Sequence, residues 1–245
     1  ARLFSRSGDD ISGTFPDLVG ALDFDGVIDG ELVIRHGEAV ATFSDLQQRL
    51  NRKQVTAKML HDLPAHLIAY DLLFEGQEDL RPQPFEARRH RLQTFLNGRA
   101  NPRISLSPLV PFASWEELAI ARQESAAHPA IEGVMLKRAG SPYLAGRPKG
   151  LWYKWKRAPG LVDCVMMYAQ RGHGKRSSYY SDFTFGVWDE DRLVPVGKAY
   201  FGFTDAELVE LDRFVRRNTI NRFGPVREVV HTAEEGLVLE IAYEG

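Results

Sequence analysis

At Arg157-Ala158-Pro159-Gly160 the chain changes texture. Downstream, strand-like runs dominate: VDCVMMYA, SDFTFGVW, LVPVGKAYFG and EGLVLEIAYE. One amphipathic helix, TDAELVELDRFVRR, interrupts them. Thr204 and Glu207 have capping-box spacing, and Leu208, Leu211 and Val215 share one face. Short strands with one inserted helix predict a small Greek-key barrel of OB type over residues 159–245. Upstream, helices and strands mix, which predicts an α+β domain over residues 1–158. Pro159 and Gly160 would serve as a hinge.

Within that first region ARLFSR reads as a strand, so the chain opens inside one, and a short helix follows around FPDLVGAL. VIDGELVI reads as a strand. SDLQQRL starts a helix with Ser44 as N-cap and Gln47 three residues on. HLIAYDLLF is a continuous apolar run of the buried-strand kind. PFEARRHRLQTFL reads as a helix with Pro84 in its entry turn, and SWEELAIARQESAAH as one with a Ser114–Glu117 capping box. EGVMLKR and LWYKWKR are short strands around the turn-rich AGSPYLAGRPKG. There is no internal repeat and no low-complexity segment.

No apolar run approaches the roughly 20 residues of a membrane helix, and the first residues lack the apolar stretch of a secretory signal. The single cysteine, Cys164, lies in the apolar run LVDCVMMY and reads as a small buried hydrophobe. A cytoplasmic, monomeric protein without membrane contact is expected. The net charge is −2, yet residues 132–176 hold ten Lys/Arg and two acids, a local excess of +8. Such a concentration attracts phosphate, whether of a nucleotide or of a nucleic-acid backbone, unless it is only a solvated face.

Two tempting motifs fail. DFDGVIDGE approaches an EF-hand loop but places Val27 at a ligand position and lacks the twelfth-position glutamate. RGHGKRSS resembles a phosphate loop but has Arg176 where Ser or Thr must meet Mg²⁺, and it lacks the first glycine at the right distance. A better constellation comes from the strands. Alternation puts Asp29 and Glu31 on one side of VIDGELVI, and Trp152, Lys154 and Lys156 on one side of LWYKWKR. Two ammonium groups about 7 Å apart along a strand suit a run of phosphates. Glu132 adds a hard oxygen ligand suited to Mg²⁺. Each motif alone is weak, since DGEL recurs at turn–strand junctions and Lys-x-Lys is commonly a solvated face. Their order and combination describe a nucleoside triphosphate pocket.

The series SRSG (5–8), DGEL (29–32), AYDLLF (69–74), EGVMLKR (132–138) and WYKWK (152–156) resembles the motifs of ATP-dependent DNA ligases. These belong, with RNA ligases and mRNA capping enzymes, to the covalent nucleotidyltransferase superfamily. LRPQPFEARRHRLQTFL (80–96) is also similar to a ligase segment. YAQRGHGKRSSYYSDFTFGVW (168–188) resembles a bacterial branch whose genes often neighbour a large helicase. The resemblance implies an α+β fold: a ligase-type nucleotidyltransferase (adenylation) domain of antiparallel sheets with flanking helices, then an OB-fold β-barrel.

Carried over residue by residue, the resemblance places Arg6 at the nucleotide sugar or the nick 5′-phosphate and Glu31 at the ribose or the metal. It stacks Tyr70 on adenine and gives Glu132 to the divalent metal. Lys154 and Lys156 would grip the α-phosphate and neutralise charge as it develops. It implies ATP and Mg²⁺ (or Mn²⁺), nicked duplex DNA as substrate, helicase or nuclease repair partners, and a nucleoid-associated setting. Arg171, Lys175 and Arg176 would touch the DNA backbone and position it without reading sequence.

The chain contains no K-x-D-G, the motif of the family's nucleophilic lysine, and its first lysine is Lys53. The family's last basic motif is absent as well. The expectation is therefore of two incomplete domains and of a chain that, alone, does not self-adenylate, because no other residue replaces the amine that attacks the α-phosphate. Two alternatives stand beside the DNA ligase reading. One is a non-catalytic nucleic-acid-binding OB module, with Tyr179, Tyr180 and Phe183 near the basic loop. The other is an RNA ligase of the same superfamily.

Overall fold

The computed structural model describes residues 1–245 apart from 51, 53, 100, 126–127, 129, 147, 173–176 and 244–245. The chain opens in a turn. Phe4 and Asp10 make an isolated bridge, and between them Ser5 N donates to Asp9 O and Gly8 N to Ser5 O, each at 2.9 Å. The strand expected over ARLFSR is thereby corrected. Ser5 Oγ accepts from Asp9 N at 3.2 Å, and short polar side chains that bond the local backbone favour turns over ladders.

Helix α1 (Pro16–Val19) starts on its proline, whose missing N–H costs nothing in a first turn. Next come β1 (Gly26–His36), β2 (Ala39–Val40), α2 (Phe43–Leu50), α3 (Ala57–Asp62) and β3 (Ala65–Glu75). Helix α2 begins at Phe43 rather than after Ser44: Asp45 Oδ2 reaches back to accept from Thr42 N at 3.1 Å and from its hydroxyl at 2.8 Å, which leaves Ser44 inside the helix. Then follow β4 (Glu78–Asp79), α4 (Phe85–Asn97), β5 (Ile104–Leu106) and α5 (Trp115–Ser125). Ser114 Oγ accepts from Glu117 N at 3.2 Å at the head of α5, while the Glu117 carboxylate reaches back to Ala113 N at 2.7 Å.

β1 and β3 pair antiparallel over their length in a sheet ordered β2-β1-β3-β4, with β5 parallel to β3. One face buries Phe15, Leu18, Ile34, Leu46, Ala69, Leu72, Leu92 and Phe95 against α1, α2 and α4. Two arginines lie fully inside this unit. Arg49 pairs with Asp17 at 2.7 Å and donates to Thr14 O and Leu63 O. Arg88 makes a two-pronged pair with Asp71 at 2.8 and 2.9 Å. A guanidinium can be buried when most of its donors are satisfied in this way; only Nε of Arg49 is left without a partner among these two. A separate two-stranded ribbon, β6 (Gly133–Lys137) with β7 (Trp152–Lys156), completes the unit Ala1–Arg157.

The unit Ala158–Gly245 is mostly strand. It contains β8 (Gly160–Arg171), β9 (Tyr180–Asp189), β10 (Arg192–Ala199), α6 (Asp205–Arg217), β11 (Thr219–Phe223), β12 (Val226–Val229) and β13 (Val238–Tyr243). The sheet runs β10-β9-β8-β12-β11, with β13 also on β8. Its core gathers Cys164, Met166, Phe183, Phe185 and Val229 against Leu208, Leu211 and Val215 of α6. A full Thr204–Glu207 capping box starts α6. Mixed α+β architecture with curled antiparallel sheets agrees with the expected fold class.

Candidate active site

β6 and β7 pair in the register Gly133↔Lys156, Met135↔Lys154 and Lys137↔Trp152, so these positions share one face of the ribbon. Glu132, one residue before β6, closes that face. Its Oε2 lies 3.9 Å from Lys154 Nζ and 3.8 Å from Lys156 Nζ. All three side chains are partly open to water, so this grouping contributes little to stability. Its effect is to hold charges of both signs within one small area. Gly133 makes the close approach possible: at φ 142° a side chain there would drive into the backbone of Trp155 and Lys156.

Glu31 comes from the sheet. It follows Gly30, where β1 and β3 bulge and where a Cβ would stand 2.8 Å from Ile68 O. The Glu31 carboxyl is held above the usual carboxylate range. Burial contributes most, Lys154 opposes it, and the charges of Glu132 and Asp29 add to it. Glu31 nevertheless exposes accessible surface. The carboxyl therefore lies partly against protein while part of it meets water.

Beside Glu31, Asp29 is clamped by two phenols. Tyr70 OH donates to Oδ1 at 3.0 Å, and Tyr143 OH donates to Oδ2 at 2.9 Å from the loop that joins β6 to β7. Both phenols are pushed above the ordinary tyrosine value by burial and by the Asp29 charge. Lys137 lies among aromatic rings, its Nζ 4.0 Å from the Trp152 centroid, 4.2 Å from Tyr70 and 4.7 Å from Phe85. Its side chain is 8% exposed and its Nζ has no hydrogen-bond partner; Asp71 Oδ2 is 4.0 Å away. Burial lowers its pKa to about 8, against the pull of Asp71 and Asp29. Arg88 ties this floor together by donating to Ser141 O at 3.0 Å while it grips Asp71.

The structure brings Glu31, Glu132, Lys154 and Lys156 into one group, with Tyr70 reaching it through Asp29. Arg6 stands exposed in the N-terminal turn, apart from the contacts that join Glu31, Glu132, Lys154 and Lys156. Arg171 belongs to the second unit, where its guanidinium lies 5.6 Å from the Tyr180 ring centroid. Lys175 and Arg176 lie outside the described residues. Among the described residues no group of three or more His, Cys, Asp or Glu is gathered as a metal cage. The sequence set Asp29 beside Glu31 but gave it no role, and it did not mark Lys137 or Tyr143 as site residues. Lys137 could have been found by extending the alternation from Lys154 across the hairpin, whereas nothing local marks Tyr143, whose partner is 114 positions away.

A family model described as ATP dependent DNA ligase domain matches residues 1–156. A probable DNA ligase of Koribacter versatilis (strain Ellin345) is 34% identical over 266 residues, spanning 99% of this chain and 45% of that protein. A DNA ligase of Methanoculleus marisnigri is 32% identical over 247 residues, spanning 99% of this chain and 43% of its own length. The chain thus spans under half the length of these curated relatives. Among solved structures, the ligase domain from M. tuberculosis LigD aligns with a TM-score of 0.51 and 26% identity, covering all of this chain and 77% of that one.

Proposed function

This chain belongs to the ATP-dependent DNA ligase family, and from that premise we propose that it supplies the nucleotide pocket and DNA-clamping barrel of an enzyme that seals nicks in duplex DNA. The observation that carries the reading is the Glu132 carboxylate held within 4 Å of both Lys154 and Lys156, with Glu31 close enough for its ionisation to feel Glu132 and Lys154.

The donor set fits a metal-bound triphosphate. Two exposed lysines and two carboxylates face one crevice, and a buried ammonium with a spare donor lies behind the aromatic floor. Glu132 and Glu31 would hold a divalent ion, Mg²⁺ or Mn²⁺, which would polarise phosphoryl oxygens there. Lys154 and Lys156 bind the α-phosphate side and stabilise charge as it develops on the transferring group. Tyr70, fixed by Asp29, offers a ring for adenine. Arg6 binds the nucleotide sugar or the 5′-phosphate of the nick. Arg171, Lys175 and Arg176 meet the DNA backbone. In the family's scheme AMP passes from ATP to a lysine, then to the 5′-phosphate, and is expelled by the 3′-hydroxyl. The lysine of the first step is not among these residues, because the sequence has no K-x-D-G.

A pre-adenylated nick separates the readings, since it needs only the last step. Sealing of that substrate by the chain, abolished by Lys154→Ala, is the expected result. Binding of single strands without any sealing would favour the non-catalytic OB module, and sealing confined to RNA strands would favour the RNA ligase.

A further inference from the structure

We propose that Tyr143 is a positioning residue that sets the spacing between the strand carrying Glu31 and the ribbon carrying Glu132, Lys154 and Lys156. β1 and the β6–β7 ribbon belong to different sheets, with no ladder between them. Tyr143 OH crosses that gap to Asp29 Oδ2 at 2.9 Å. Its ring meets Trp152 of the ribbon edge-on at 5.4 Å, while its own N–H donates to Arg81 O, between β4 and α4, at 2.8 Å. At the strand end Asp29 is held by Tyr70 through its other oxygen. The two phenols and one carboxylate therefore form a strut between the ring offered to a base and the charges offered to phosphates.

The strut also satisfies the Asp29 charge. Losing one phenol leaves a partly buried carboxylate oxygen unpaired beside Glu31 and Glu132, where it repels phosphate and frees the ribbon to shift. A ligand that spans both halves of the crevice should feel this loss, and a ligand confined to the base half should not. The inference rests on the nucleotide reading given above.

The test is the binding of two probes to the full 245-residue chain: Mg-ATP by calorimetry and adenosine by ligand-observed NMR. In Tyr143→Phe, Mg-ATP affinity should fall about tenfold while adenosine affinity stays within about twofold, the scale of one lost hydrogen bond to a charged group. Tyr153→Phe, on the opposite face of the ribbon, should change neither. Equal loss for both probes, or loss for neither, overturns the positioning role. Wild-type chain that binds neither probe overturns the nucleotide reading itself, and the strut's purpose with it. Near-UV circular dichroism reports whether Tyr143→Phe keeps its fold. If it does not, Trp152→Phe, which loosens the edge-on contact beneath Tyr143 and leaves both phenol hydrogen bonds to Asp29 in place, should shift the two affinities in the same unequal way.

Discussion

Lys154 Nζ and Glu132 Oε2 stand 3.9 Å apart across a two-stranded ribbon, and both act on a third group, Glu31, from a different sheet. The ionisation of Glu31 thus reports on the whole group.

Removing Lys154 takes away the cation that holds the Glu31 pKa down, so Lys154→Met should raise it further, and Glu132→Gln should lower it. NMR titration of the Glu31 side-chain carboxyl carbon measures both. Because the folded value is the higher one, stability from this group falls as pH rises from the unfolded carboxyl's value through the folded one. A Glu31 midpoint indifferent to both substitutions would separate the three residues electrostatically.

Lys137 should titrate with a midpoint of about 8, read from its ε-carbon shift. The folded value lies below the unfolded one, so below pH 8 both states are charged and the burial penalty is constant. Between about pH 8 and 10.5 the folded chain has lost its proton first, and stability rises with pH. Wild type should therefore gain on Lys137→Met across that window, by at most about 3 kcal/mol. A midpoint above 10 would show that the aromatic surround does not desolvate the ammonium.

Arg88→Met strands the buried Asp71 carboxylate and should destabilise the first unit by about 3–5 kcal/mol in urea unfolding. The double variant Arg88→Met/Asp71→Leu should recover much of that loss, since an apolar pair of similar volume carries no uncompensated charge.

Gly30→Ala puts a methyl 2.8 Å from Ile68 O, within the backbone of the neighbouring strand. A loss of about 1–3 kcal/mol is expected. Gly13→Ala meets nothing within 4 Å and should change stability by less than about 0.5 kcal/mol.

Much of this molecule can be read from its residues in order. The alternation in VIDGELVI and LWYKWKR, the unbroken apolar run of β3 and the Thr204–Glu207 cap each encode an element locally, and each element forms. Alternation alone sets Lys154 and Lys156 on one face of β7 before any partner strand is known, whereas the approach of Glu132 to both depends on the turn at Gly133. The opening segment misled because apolar Leu3 and Phe4 imitate a strand, while the serines and Asp9 after them bond their own backbone. Helix α2 misled because Ser44 has capping-box spacing to Gln47, while the Asp45 carboxylate reaches back to Thr42 and starts the helix earlier. Tyr143 and the phenol contacts of Asp29 were hidden for a different reason. Their surroundings are assembled from β1, β3 and the loop after β6, and no window of neighbouring residues contains that information.

Each Asp29 oxygen already accepts a phenolic proton, which takes half of the carboxylate's lone pairs and makes it a weaker ligand than Glu31 or Glu132. A divalent ion that settles there meets the two glutamates and must otherwise keep its own water or borrow oxygens from its guest. Such an ion would travel with the nucleotide rather than wait for it, so occupancy by metal and by triphosphate should rise together.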